Sequence, residues 1–212
     1  MIVLVGFMGA GKTTIGNLLS ARLGLPFADS DQVIEQRTGR PVRQIFAEDG
    51  EPGFRALEHQ VIAELLDGPG LILALGGGAP EHPRTRALLA GGTLCSLGTP
   101  QAPVAPEPPA HGGAPRPPVP PWPRREGIGS DPVTQVVYLQ VGYDQALRRV
   151  GGDAGRPMLA RPDLAALYER RRPVYAGIAT FAVSTDGRHP EAVSEDIVTR
   201  LARTLTADGR AP

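Results

Sequence analysis

Apolar residues fall along this chain in two alternating rhythms. Short unbroken runs, "IVLVG" (2–6), "LILAL" (71–75) and "VVYLQV" (136–141), are rich in branched side chains, and each leads into a polar or glycine-rich loop. Continuous apolarity of that length predicts strands covered on both faces, as in a parallel sheet. "PFADSD" (26–31) and "FAVST" (181–185) are weaker strand candidates. Between these runs, apolar positions recur at helical spacing over 12–23, 54–66, 84–89, 144–150, 163–179 and 190–205. Strands alternating with helices imply right-handed crossovers. The expected class is therefore α/β: three α/β/α layers around a central five-stranded parallel sheet. No internal repeat is visible.

Two stretches break the rhythm. Residues 100–123 hold eleven prolines in 24 positions. Proline fixes φ and lacks a backbone donor, so this stretch is neither helix nor central strand. It predicts polyproline II or disorder, and its edges extend to an insert of about 94–135. The tail "TADGRAP" is expected to fray. Apart from the insert, 212 residues fit one domain.

Composition removes several function classes. Formal net charge is zero and the pI about 6.9, which excludes a nucleic-acid or membrane-surface partner held by bulk positive charge. One cysteine, Cys95, rules out an internal disulfide and suits a reducing cytosol. The leading apolar run has no basic flank and passes straight into a motif, so no signal peptide is expected. The expectation is a cytoplasmic protein. Of the 22 lysines and arginines, the single lysine is Lys12.

That lysine lies in "GFMGAGKTT" (6–14), which fits G-x-x-x-x-G-K-[ST] between a strand and a helix. Glycines let successive backbone N–H groups curl around a phosphate, and the helix N-terminus adds a favourable dipole. Gly9, Ala10, Gly11, Lys12, Thr13 and Thr14 are the candidates to hold a nucleoside triphosphate. Lys12 would reach its β- and γ-phosphates and Thr13 would ligate Mg²⁺. The second apolar strand ends in Gly76, Gly77 and Gly78 with no carboxylate, so the acid must come from "DSD". In an extended segment Asp29 and Asp31 would point the same way, Asp29 toward Mg²⁺ and Asp31 toward an acceptor. Alternatively, Asp31 merely caps the helix that follows.

Signals for an acceptor site lie further on. Arg55 follows Phe54 at the start of a helix, and the three glycines admit a ligand close to backbone. Arg156 precedes a proline in a loop expected to be a mobile lid at about 151–162. Arg170, Arg171 and Arg172 cluster before Pro173, and the residues alone do not single one out.

Taken in order, G-x-x-G-x-G-K-T-T, D-S-D, G-E-x-x-F-R-x-x-E, L-G-G-G-A, R-P-x-L and R-x-P-x-Y resemble the shikimate kinase family, small-molecule kinases of the nucleoside-monophosphate-kinase fold. The likeness covers roughly 1–93 and 136–205. It implies ATP and Mg²⁺ as cofactors, shikimate as acceptor and a monomer. Asp31 would bind the attacking hydroxyl and act as base, with Lys12 and Arg156 as the other catalytic groups. Arg55 and Arg171 would clamp the acceptor carboxylate, Gly77 and Gly78 would contact ring hydroxyls, and Phe46 and Phe54 would form an apolar wall. Arg149 and Arg188 would flank the adenine, and Glu58 would orient Arg55. Thr13 and Asp29 would serve the metal.

Three departures stand out: Pro52 inside the G-E-x-x-F block, Met158 at a leucine position of the lid, and the insert before an expected core strand. Two rival readings are a kinase of another hydroxy acid such as gluconate, and an inactive nucleotide-binding module. In the second, the P-x-x-P spacings of "APRPPVPPWP" would recruit a partner.

Overall fold

The computed structural model describes residues 1–91, 134–151 and 162–207. The insert except its last two residues, the lid except its two ends (Arg156 and Met158 included), and Cys95 lie outside the described residues.

Among the described residues five strands form one sheet: β1 (Ile2–Val5), β2 (Phe27–Asp29), β3 (Ile72–Ala74), β4 (Gln135–Gln140) and β5 (Phe181–Ser184). Their order is β2-β3-β1-β4-β5, every pair is parallel, and Ile2 sits opposite both Ile72 and Gln135. The expected five-stranded parallel sheet is present. Every residue of β1 and β3 is buried, and β4 is buried up to its last residue, as their unbroken apolarity requires. β2 and β5 are the edges and only partly covered, which is why their apolar signal is weaker. β4 starts at Gln135, one residue inside the expected insert.

Helices α1 (Lys12–Leu23), α2 (Ser30–Thr38), α3 (Val42–Leu66), α4 (Pro83–Leu89), α5 (Tyr143–Val150), α6 (Leu164–Ile178) and α7 (Pro190–Ala207) cover the two faces. A 3₁₀ turn, η1, spans Ala79–Glu81. α1 packs against α7, α2 against α3, and α3 against α4. α7 runs two residues into the tail expected to fray. Among the described residues no helix is long and apolar enough to cross a membrane.

Two helical segments depart from the pattern. α2 lies where the apolar rhythm offers only Val33 and Ile34, and its start is fixed by a cap instead: Asp29 Oδ1 accepts the Asp31 N–H at 3.1 Å. The extended reading of 26–31 is therefore corrected. The strand stops at Asp29, Asp29 is the cap, and Asp31 rides in the first helical turn. α3 begins at Val42, well before the expected Phe54. It breaks at Gly50, whose φ of 70° is left-handed, and resumes with Pro52 in the next turn, where a missing N–H costs nothing.

The neighbouring strands β1 and β4 send their connections in opposite directions, β1 through α1 to β2 on one side and β4 through α5 and α6 to β5 on the other. That topology opens a crevice at the C-terminal edge of the sheet.

Candidate active site

The phosphate loop fills that crevice. Gly11, left-handed at φ 88°, precedes α1, and no side chain caps the helix. The first N–H groups of α1 are thus presented to an anion. Lys12 folds back along the loop, its Nζ donating to the Gly6 and Phe7 carbonyls at 2.9 and 3.2 Å. Thr13 donates from Oγ1 to Asp29 Oδ2 at 3.2 Å. Asp29 therefore ties the loop to α2 with one oxygen on each. A hydroxyl and a carboxylate side by side at the end of a phosphate loop are hard oxygen donors. They match the chemistry of Mg²⁺, which takes few protein ligands and completes its shell with phosphates and water.

One cavity of about 630 Å³ runs from this loop into the acceptor region. At the nucleotide end it is lined by Gly9, Gly11, Lys12, Thr13, Thr14 and Asp29. At the far end it meets Asp31, Phe46, Phe54, Arg55, Gly77, Gly78 and Arg171. Residues expected at one site from the sequence thus share one chamber. Ala10 is buried and lines instead a neighbouring cavity of about 390 Å³, with Arg149 and Arg188. Arg149 opens onto both cavities and donates to the Gly9 carbonyl (3.1 Å) and to Thr185 Oγ1 (2.9 Å) and O (2.6 Å). Arg188 is held by Asp196 at 3.0 Å and by the Ser184 and Ala192 carbonyls.

At the acceptor end the buried Glu58 and the half-buried Asp31 share the cavity wall with Arg55 and Arg171. Glu58, 1% exposed, accepts from Arg55 Nη1 at 2.6 Å. This is the i,i+3 pairing read from the sequence. Arg55 also lies over the rings of Phe46 and Phe54, 5.9 and 5.3 Å from their centroids. The two rings pack 4.4 Å apart. Burial pushes the Asp31 carboxyl up to about 6, Asp29 adds to the rise, and Lys12 and Arg55 pull it back. Burial likewise drives Glu58 upward, more than Arg55 offsets, with Asp31 adding to the rise. Among the described residues, Asp31 Oδ1 and Glu58 Oε1 are both buried without a hydrogen-bond partner.

The glycine loop sets how closely these groups approach. A Cβ on Gly76 would stand 2.7 Å from both Asp31 Oδ1 and Glu58 Oε1, and one on Gly78 would stand 2.1 Å from Arg55 Nη2. Gly76 N–H donates to Ser30 Oγ at 2.9 Å, and the Gly77 carbonyl accepts from Tyr175 Oη at 2.6 Å. Gly76 and Tyr175 lie within the L-G-G-G-A and R-x-P-x-Y blocks, but neither had a role of its own in the reading from sequence. Nor did Glu81, which binds Arg171 at 2.6 Å. Arg170 and Arg172, unlike Arg171, have side chains more than half exposed.

The shikimate kinase family model matches residues 8–101 and 132–202. A shikimate kinase of Mycobacterium avium is 38% identical over 206 residues, covering 95% of this chain and 93% of its own length. One of Thermobifida fusca is 39% identical over 204 residues, covering 95% and 94%. Among solved structures, shikimate kinase from Acinetobacter baumannii in complex with shikimate superposes with a TM-score of 0.73 at 29% identity, covering 96% of this chain and 93% of that one. Sequence blocks, sheet order and relatives agree: this chain belongs to the shikimate kinase family.

Proposed function

We propose that this chain is an ATP-dependent shikimate kinase, transferring the γ-phosphoryl group to the 3-hydroxyl of shikimate to give shikimate 3-phosphate and ADP. We read it as a single cytosolic domain working as a monomer. The observation that carries the reading is that cavity. It joins a phosphate loop, a half-buried aspartate and two guanidiniums at its far end.

Shikimate offers little apolar area, so its carboxylate and hydroxyls must supply recognition. Arg55 and Arg171 supply fork geometry for a planar carboxylate. Phe46 and Phe54 wall one side, and Gly77 and Gly78 allow the ring hydroxyls to reach backbone. Asp31 then accepts the proton of the 3-hydroxyl as its oxygen attacks phosphorus. Lys12 and the N–H groups of the loop neutralise the charge that develops on the phosphates. Arg156 is assigned to the transferring phosphate on the family likeness, and Arg149 and Arg188 to the adenine. Mg²⁺, held by Thr13 and through water by Asp29, would screen the β- and γ-phosphates.

ADP release by the purified protein tests the reading. Shikimate should support turnover and gluconate should not. A folded protein inert toward shikimate would overturn it.

Replacing Arg55 by alanine should lower kcat/KM for shikimate about 10- to 100-fold, because a hydrogen bond to a charged group contributes about 1.5–3 kcal/mol. The KM for ATP should hold, since Arg55 lies outside the phosphate loop. Steady-state titration of each substrate separates the two effects.

A further inference from the structure

Arg171 is 4% exposed, and one of its edges is already taken. Glu81 Oε2 accepts from its Nε at 2.8 Å and its Nη2 at 2.6 Å. The other oxygen of Glu81 takes the Nε of Arg170 at 3.3 Å. Burial pushes the Glu81 carboxyl up, but the bonds and charges of Arg171 and Arg170 outweigh it and hold it below the usual range. Arg171 Nη1 lies on the opposite side, 3.5 Å from where a Cβ on Gly77 would stand, near the Tyr175 hydroxyl with which the Arg171 side chain also interacts. Glu81 is not among the residues that line the cavity, whereas Arg171 and Gly77 are. It stands behind the guanidinium, on η1, with its N–H donating to the Gly78 carbonyl at 2.9 Å. The turn that positions the glycine loop therefore also grips the arginine.

We propose that Glu81 is a positioning residue for acceptor recognition: it pins Arg171 by the Nε/Nη2 edge so that the Nη1 end is offered to the substrate carboxylate. The proposal rests on the reading of Arg171 as half of the carboxylate clamp. Arginine has many rotamers, and a contact that fixes one of them before binding removes an ordering cost from the complex. Glu81 also gives a buried cation a counter-charge while the site is empty. The acceptor class this arrangement favours is a monocarboxylate approaching end-on.

Glu81→Gln and Glu81→Ala test it, with Glu81→Asp as the conservative variant. Expected is a rise in KM for shikimate of about tenfold for alanine and somewhat less for glutamine. Recovery should be partial with aspartate, and kcat and the KM for ATP should stay within about twofold. With the primary-alcohol analogue of shikimate as competitive inhibitor, wild type and variants should give the same Ki. A melting curve for each variant checks that the fold persists. An unchanged or lower KM for shikimate overturns the proposal, because Glu81 would then be neutral or a competitor. A loss falling equally on kcat, on ATP or on the alcohol analogue also overturns it, as a general structural effect. Arg171→Ala, run in parallel, separates the two levels. If it leaves the KM for shikimate unchanged, the clamp reading falls and this proposal with it. If it raises KM while the Glu81 variants do not, only this proposal falls.

Discussion

Asp31→Asn should cost 10²- to 10⁴-fold in kcat, the range for loss of a positioned base, and should stabilise the ligand-free protein at pH 8. The second effect follows from the raised carboxyl. Its pKa lies at 3.8 in the unfolded chain and about 6 in the fold. Between those values the folded state binds more protons, so stability falls as pH rises through the window and the full cost persists above it. For a carboxyl raised that far, the cost is about 3 kcal/mol. Asparagine carries no charge to desolvate. The variant should melt higher than wild type at pH 8, by about 6–12 °C, and the gap should close as pH falls toward 4. In the wild type, kcat/KM should drop about tenfold for each step of one pH unit below pH 6, as the base is protonated. Calorimetry across pH and a coupled assay read both effects. A variant that keeps turnover, or that melts lower at pH 8, contradicts this account of Asp31.

Gly76→Ala should be nearly as damaging without replacing any functional side chain. The new methyl would stand 2.7 Å from Asp31 Oδ1 and from Glu58 Oε1. Both carboxyl ends must then move, and Glu58 carries Arg55 with it. A misplacement near 1 Å costs about 10² in rate. We expect kcat/KM for shikimate to fall by about that factor while the KM for ATP is kept, because the phosphate loop is untouched. Separate titrations of the two substrates decide. Equal losses on both would mean that the glycine loop supports the whole crevice.

What the sequence made legible was whatever carries a local signature. Lys12 and Thr13 are fixed by glycine spacing between a strand and a helix. Arg55 and Glu58 are three positions apart on one helix face and meet there. The limits of α2 were hidden because two aspartates alternate in a way that suits a strand equally well. Only the bond from the Asp31 N–H to Asp29 decides for a capped turn. The first half of α3 was hidden because Gly50 and Pro52 read as loop formers, whereas here they break one helix into two. Gly76 could not be told from Gly77 and Gly78 by composition; the neighbouring carboxyls, Asp31 and Glu58, come from other elements. Glu81 meets Arg171 across 90 positions of chain. Nothing local in three consecutive arginines announces which one turns inward.

Lys12 is the chain's single lysine, and it stands on the wall of the main cavity. The protein thus carries one ε-amine, at the place where a triphosphate would rest. An amine-directed reagent applied above neutral pH has one lysine to modify besides the chain's α-amine, so the fraction of Lys12 side chains labelled gauges how many molecules are occupied.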